Sequence, residues 1–240
     1  GHKVLVHYGG QSAVKSGLLD KMCNLLDKAG IEYVKLGGVV PNPRLSKIYE
    51  GIDLCRKEGV DFILAVGGGS VIDSAKGIAY GVPYEGDVWD FYEHTRLATA
   101  CLPVGVVLTI AAAGSEMSCG SVVTKDEGGV KRAYDDDLSR PKFAIMNPEL
   151  TMTLPAYQTA SGACDILMHT MERAFLRAGI TIRHTAGFHP HPYVSIPLPL
   201  PLGFSSDCEI MEFGLVDGAT METLPQQMTD ALPAGIKVLQ

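Results

Sequence analysis

The chain has 240 residues, 46% hydrophobic and 20% charged, enough for one large or two small globular domains and too apolar for a disordered protein. Its net charge of -7 supplies no basic stripe, which excludes the electrostatic footprint of a nucleic-acid binder. No apolar run is long enough to cross a bilayer, and the opening GHKVLVHYGG enters a strand without a signal-peptide cleavage pattern, so no membrane partner and a cytoplasmic location are expected.

In chain order, KVLVHY (3–8) predicts a short apolar strand. KSGLLDKMCNLLDKAG then carries Leu18, Met22, Leu25 and Leu26 at helical spacing, with Gly30 placed to stop the helix. IEYVKL (31–36) reads as a second strand, followed by the turn GGVVPNP and a helix around Ile48, Ile52 and Cys55 that ends at Gly59. The buried strand DFILAVGGG (61–69) leads into the helix SVIDSAKGIAYG (70–81). This alternation calls for an α/β fold, a parallel Rossmann-like sheet with helices on both faces. Further strands are expected at LPVGVVLT (102–109), SVVTK (121–125) and KFAIM (142–146), and Pro155 opens a long helix over 156–178.

Beyond that helix the composition changes, for seven of the fourteen prolines lie after residue 188. HPHPYVSIPLPLPLG (189–203) is expected to be an extended loop, because proline suits neither a helix interior nor a central strand. Strands over 180–184, 209–216 and 235–240 and a helix over 220–231, interrupted by Pro225, would make a partial α+β segment, ferredoxin-like with its first strand missing. The six cysteines contain no C-x-x-C, so neither a zinc knuckle nor a disulfide framework is indicated.

Three motifs carry chemistry. In ILAVGGGSVIDSAKG (63–77) an apolar strand ends in Gly67, Gly68 and Gly69 and a helix starts at once. Glycines let a backbone approach a pyrophosphate, and the free N–H groups and dipole of a new helix favour anionic oxygen. The same residues also suit a plain strand-to-helix turn with Ser70 as its N-cap. At the end of the second strand Gly37 and Gly38 stand where a dinucleotide fold often has a ribose-binding acid; they leave room for a 2′-phosphate, so NADP is admitted beside NAD, or they only shape a turn. Asp165 and His169, four apart on a helix, share one face and suit either a metal pair or a surface hydrogen bond.

Five blocks in series, GGVVPNPRLS, FILAVGGGSVIDSAKGIA, PVGVVLTIAAAGSEMS, RPKFAIMNPELTMTLP and DILMHTMER, resemble the iron-type (group III) alcohol dehydrogenases, butanol dehydrogenase branch, over residues 3 to about 172. The resemblance implies cofactor contacts from Gly37, Gly38, Gly67, Gly68, Gly69, Ser70 and Asp73, with Thr109, Ser115 and Lys142 lining the cofactor cleft. Ala113 stands where many members carry Thr. The resemblance further implies Asp165 and His169 as the first two ligands of Fe(II) or Zn(II), a small alcohol or aldehyde as substrate, and allows a homodimer.

The family's two further histidines come from a helical domain that does not follow here. From Asp165 onward DILMHTMERAFLRAG, GFHPHP and PLPLG instead resemble a radical-SAM-linked family of uncharacterised proteins, with His189 in place of the usual Asn. The two patterns meet between Asp165 and Glu172, so the chain reads as a chimera: a dinucleotide-binding domain over 1–155, then over 156–240 the shared helix and a truncated module. A junction inside a short shared pattern is what recombination or misassembly of a gene would leave. Of His184, His189 and His191, the last two sit in FHPHP, a loop restricted by its prolines, and nothing in the spacing aims the three at Asp165 and His169, so they are not expected to replace the missing ligands. Two functions compete: an NAD(P)-dependent, metal-assisted alcohol dehydrogenase, catalytically incomplete because two of four ligands are absent, or a non-enzymatic dinucleotide-binding fragment fused to a module of unknown function.

Overall fold

Strands whose residues are apolar without interruption need cover on both faces, and the first part of the chain supplies it. In the computed structural model, which describes residues 1–184, 193–195, 210–216 and 222–239, two compact units appear, Gly1–Leu154 and Pro155–Gln240. The first contains β1 (Lys3–Tyr8), β2 (Glu32–Leu36), β3 (Phe62–Gly67), β4 (Val104–Leu108), β5 (Gly120–Thr124), β6 (Lys131–Asp135) and β7 (Phe143–Ile145). Its helices are α1 (Ser12–Lys15), α2 (Leu18–Lys28), α3 (Leu45–Glu58), α4 (Gly69–Gly81) and α5 (Trp89–Tyr92). Five strands form one parallel sheet in the order β2-β1-β3-β4-β7.

Successive residues of a strand point to opposite faces, and the core divides accordingly. Leu5, Ile63, Ala65, Val104 and Val106 pack with α3, α4 and α5, whereas Val4, Val6, Leu64, Val66 and Val107 pack with α1 and α2. This is the Rossmann-like arrangement that the β-α alternation predicts.

Local departures have local causes. The second helix begins at Leu18 and not before, because Gly17 takes a left-handed φ of 72° between α1 and α2, and Leu25 faces solvent. SVVTK joins no parallel strand; β5 pairs antiparallel with β6, whose charged sequence KRAYD buries only Tyr134 and carries no apolar run to announce it. Ser70 is not an N-cap: α4 already starts at Gly69, Gly68 is its extended N-cap, and no side chain caps it.

The second unit holds α6 (Ala156–Arg177), β8 (Val194–Ser195), β9 (Glu212–Phe213) and α7 (Leu224–Ala231). Met171, Ala174 and Phe175 of α6 pack with Ile180, Ile182, Leu224, Met228 and Leu232. The strand expected over 180–184 is present as isolated bridge residues, Ile182, which pairs with Leu215, and His184, and among the described residues the one over 209–216 contracts to β9 paired with β8. Residues 236–239 form no strand; the Val238 N–H donates to Thr229 Oγ1 at 3.0 Å, which ties the segment to a helix side chain. Pro225 does not interrupt α7 but stands in its first turn, where a missing N–H costs nothing. His189 and His191, like most of the proline-rich stretch, lie outside the described residues.

One buried group makes the first unit pH-sensitive. His7 has no exposed surface; its Nδ1 lies 2.9 Å from the Leu36 carbonyl and its Nε2 2.9 Å from Ser74 Oγ. A carbonyl only accepts, so Nδ1 carries the proton and Nε2 accepts from the Ser74 hydroxyl. Burial pushes the imidazole from 6.5 down to about 4. The unfolded chain then binds this proton first, and stability, fully present above pH 6.5, should be lost as pH falls toward 4, by about 3 kcal/mol for this group. Urea unfolding followed by Trp89 fluorescence at pH 7.5 and 4.5 should show that loss, and His7→Gln should flatten it by about 2 kcal/mol; equal slopes for the two proteins would contradict the assignment.

Candidate functional site

Parallel pairing brings the C-terminal ends of β1 to β4 to one edge of the sheet, and with β2 and β3 on opposite sides of β1 the chain leaves a crevice there. The loops that leave this edge are surfaced with glycine. Gly9, after β1, accepts the Gly38 N–H at 3.0 Å, and a Cβ on Gly9 would touch Val71 of α4 at 3.5 Å. Val71 also fills the space beside Gly67. A side chain on Gly37 would overlap the Tyr8 ring, and one on Gly68 would overlap Ile110. Gly38, at a φ of 89°, has the left-handed backbone that side chains disfavour. The result is a continuous shelf from Gly38 through Gly9 to Gly67 and Gly68.

At the end of this shelf α4 begins. Its first hydrogen bonds run from Val71 and Ile72 to the Gly68 carbonyl, which leaves the N–H groups of Gly68, Gly69 and Ser70 with no acceptor among the described residues. Three free amides at the positive end of a 13-residue helix form a site for anionic oxygen. The Thr109 N–H donates to the Gly67 carbonyl at 3.1 Å and binds the β4 exit to the β3 exit. Ser115 lies beside Gly69, its Cβ 3.9 Å from where a side chain on that glycine would start. The residues present therefore fit the pyrophosphate of a dinucleotide.

Polar side chains of α4 hold the opposite wall. Asp73 Oδ1 accepts from Ser115 Oγ at 2.6 Å and Oδ2 from the Val122 N–H at 3.2 Å. Burial raises the Asp73 carboxyl above its usual range, against the lowering effect of the Ser115 bond and the Lys76 charge. Asp73 thus meets the neighbouring loop and hairpin. One turn later Lys76, with no exposed surface, donates from Nζ to the carbonyls of Ser115 at 2.9 Å, Ser118 at 2.9 Å and Gly120 at 2.7 Å. Burial lowers its ammonium pKa, while Asp73 opposes that. Sequence reasoning missed Lys76 and Gly9; a lysine inside the apolar run VIDSAKGIAYG was the available signal for a buried polar network.

The structure does not bring Lys142 to this edge. Its N–H donates to the Val104 carbonyl at 2.7 Å, at the start of β4, whereas Thr109 and the glycine shelf lie past the end of that strand. In the second unit Asp165 and His169 do share one face of α6, with His169 Nε2 3.8 Å from Asp165 Oδ1. The Glu172 carboxylate takes His169 Nδ1 at 2.9 Å. Among the described residues no group of three or more His, Cys, Asp or Glu gathers into a possible metal site. Resident Zn(II) takes at least three protein ligands, and non-haem Fe(II) sites use two histidines and a carboxylate, so this pair alone does not fit either ion.

Comparison with known proteins finds two families along the chain. The chain belongs to the iron-containing alcohol dehydrogenase family, whose profile matches residues 1–148. Residues 165–240 match another family, described as an uncharacterized protein conserved in bacteria (DUF2344). The probable NADH-dependent butanol dehydrogenase 2 of Bacillus subtilis is 46% identical over 175 residues, which are 73% of this chain and 45% of that protein. The NADPH-dependent aldehyde reductase YqhD of Escherichia coli is 37% identical over 174 residues, 71% of this chain and 44% of the reductase. The crystal structure of NADH-dependent butanol dehydrogenase A from Thermotoga maritima superposes with a TM-score of 0.71 at 43% identity, covering 72% of this chain and 44% of that one. The chain thus spans a little under half the length of these relatives.

A match over 175 residues of this chain cannot end before residue 175, so it overlaps the second family's segment, which starts at 165. Both likenesses therefore run through α6, as expected of a two-family chain with a shared helix. Among the described residues no helix is long and apolar enough to cross a membrane.

The Lys76 arrangement is testable by itself. Lys76→Met keeps the length of the side chain but leaves three carbonyls without their donor, and should destabilise the first unit by about 3–5 kcal/mol. Urea titration read by Trp89 fluorescence measures this; a loss under about 1 kcal/mol would mean that the carbonyls find other donors.

Proposed function

We propose that residues 1–155 form a dinucleotide-binding domain derived from an iron-type alcohol dehydrogenase, that this chain binds NAD(P)(H), and that it does not complete the reduction of an aldehyde. The observation that carries the binding reading is the row of acceptor-free amides at Gly68, Gly69 and Ser70 beside glycines that add no side chains of their own. Relatives named as NADH-dependent butanol dehydrogenase and NADPH-dependent aldehyde reductase support the nicotinamide cofactor and the alcohol or aldehyde class.

Each residue's part follows from its place. Gly68, Gly69 and Ser70 donate to pyrophosphate oxygen, Gly37 and Gly38 leave space for the adenosine ribose, and Thr109 and Ser115 border the route toward the nicotinamide. Asp73 serves by fixing Ser115. A metal ion, where the family has one, would polarise the carbonyl that receives hydride; Asp165 and His169 alone supply fewer ligands than such an ion takes, and this supports the reading of an incomplete enzyme. Residues 156–240, the shared helix and a truncated module, carry no assigned chemistry.

Titration with NADH and NADPH, followed by nicotinamide fluorescence, should show saturable binding with Kd below about 1 mM, or roughly -4 kcal/mol. Gly68→Val should abolish it, because the new side chain has to displace Ile110 and with it the amide row. NADPH or NADH oxidation by butanal should stay at background with Fe(II) or Zn(II) added. Turnover that disappears in His169→Ala would overturn the incompleteness, and absence of binding would overturn the domain assignment.

A further inference from the structure

We infer that Lys47, opposed by Glu50, decides between NADPH and NADH on this chain; the inference rests on the dinucleotide-binding reading above. In a parallel nucleotide-binding sheet the adenosine ribose lies at the end of the second strand, where an acid favours the free 2′-hydroxyl and a cation favours a 2′-phosphate. After β2 come Gly37 and Gly38, which offer neither. The charge at this position comes from the next helix instead.

Lys47 stands in the first turn of α3, and its side chain folds back over the β2 exit. Its Nζ lies 3.7 Å and its Cε 3.9 Å from where a Cβ on Gly38 would sit, so the ammonium occupies the place that a ribose-binding side chain would have. Only 23% of the Lys47 side chain is exposed, so the group is held and not free in solvent. The Lys47 and Glu50 charges act in opposite directions on His7, which is bonded to the Leu36 carbonyl at the end of β2.

Glu50 sets the balance. Its Oε2 is 2.6 Å from Lys47 Nζ, and with its side chain 55% exposed it holds the ammonium in place while cancelling its charge. A 2′-phosphate arriving at Gly38 gains a charge-assisted bond from Lys47 and meets repulsion from Glu50. A 2′-hydroxyl meets neither effect at full strength. Two other charged groups near the start of α3 are tied elsewhere, Lys131 Nζ to Asn42 at 2.7 Å and Asp126 to Ser46 at 2.8 Å and 3.0 Å, and Arg44 at the N-cap is exposed. The pair thus makes the chain tolerant of both cofactors and sets their ratio.

The test is the ratio of NADPH to NADH affinity, measured by fluorescence titration of the full chain at low salt. Lys47→Gln should lower NADPH affinity about tenfold and NADH affinity less than about twofold. Glu50→Gln should raise NADPH affinity about threefold or more with NADH unchanged. Lys35→Gln, which makes the same charge change as Lys47→Gln at an exposed position of β2, should leave the ratio alone. Equal losses for both nucleotides in Lys47→Gln, or the same ratio change in Lys35→Gln, would overturn the assignment while leaving the binding site intact. Failure of the unsubstituted chain to bind either nucleotide would instead overturn the dinucleotide reading itself. Circular dichroism of each variant confirms the fold, and these three side chains lie outside the core.

Discussion

The first unit depends on one constraint: α4 has almost no face turned to water. From Val71 to Gly81 all but one of its residues are buried, and the exception, Asp73, is bonded to the loop and hairpin beside it. Gly77 takes Ile48 of α3 against it, Gly81 takes Ile52, and Gly51 of α3 takes Ile78 in return, so the two helices approach more closely than larger residues would allow. Buried polar groups have to be paired, and in α4 they are paired with everything around it. Ser74 meets His7 of β1, Asp73 meets Ser115 and Val122, and Lys76 meets three carbonyls between Ser115 and Gly120.

The candidate site is a consequence of that packing. A helix fixed along its length presents its first amides in a fixed direction, and the residues before it, free of side chains, cannot cover them. Lys76 and Asp73 hold the loop after β4 at the same edge, so the wall opposite the amides needs no rearrangement to face an anion. Preorganisation of this kind lowers the entropic cost of binding. Strand ends, helix start and loop thus meet at one edge through contacts made below it.

What was legible in the sequence follows from the length scale of each cause. The order of strands and helices in the first unit shows as hydrophobic periodicity, and GGGSVID shows as an abrupt change from apolar run to glycine. Contacts between distant segments do not show: nothing near Lys76 in sequence names Ser115, Ser118 or Gly120 as its partners, and KRAYD gives no sign that it completes a hairpin with GSVVT. Ser70 looked like a cap because its residue type suits one, but helix dihedrals already begin at Gly69. Lys142 looked close to the cleft by resemblance, and its register against Val104 puts it at the other end of the strand. In the second unit a side-chain bond, from the Val238 N–H to Thr229 Oγ1, stands where alternation alone would have extended a strand.

Two families share α6, and the sheet edge described above belongs to the part that matches the iron-containing alcohol dehydrogenase family. The central claim is that the amides at the start of α4 and the glycine shelf beside them receive the nucleotide. Amide chemical-shift mapping of the nitrogen-15-labelled chain during addition of NADH tests it most directly. The account predicts large shifts at Gly9, Gly38, Gly68, Gly69 and Ser70, with Lys142 and the Asp165 to Glu172 turn unmoved. Shifts confined to other residues, or an unchanged Gly68 to Ser70 row under saturating nucleotide, would contradict it.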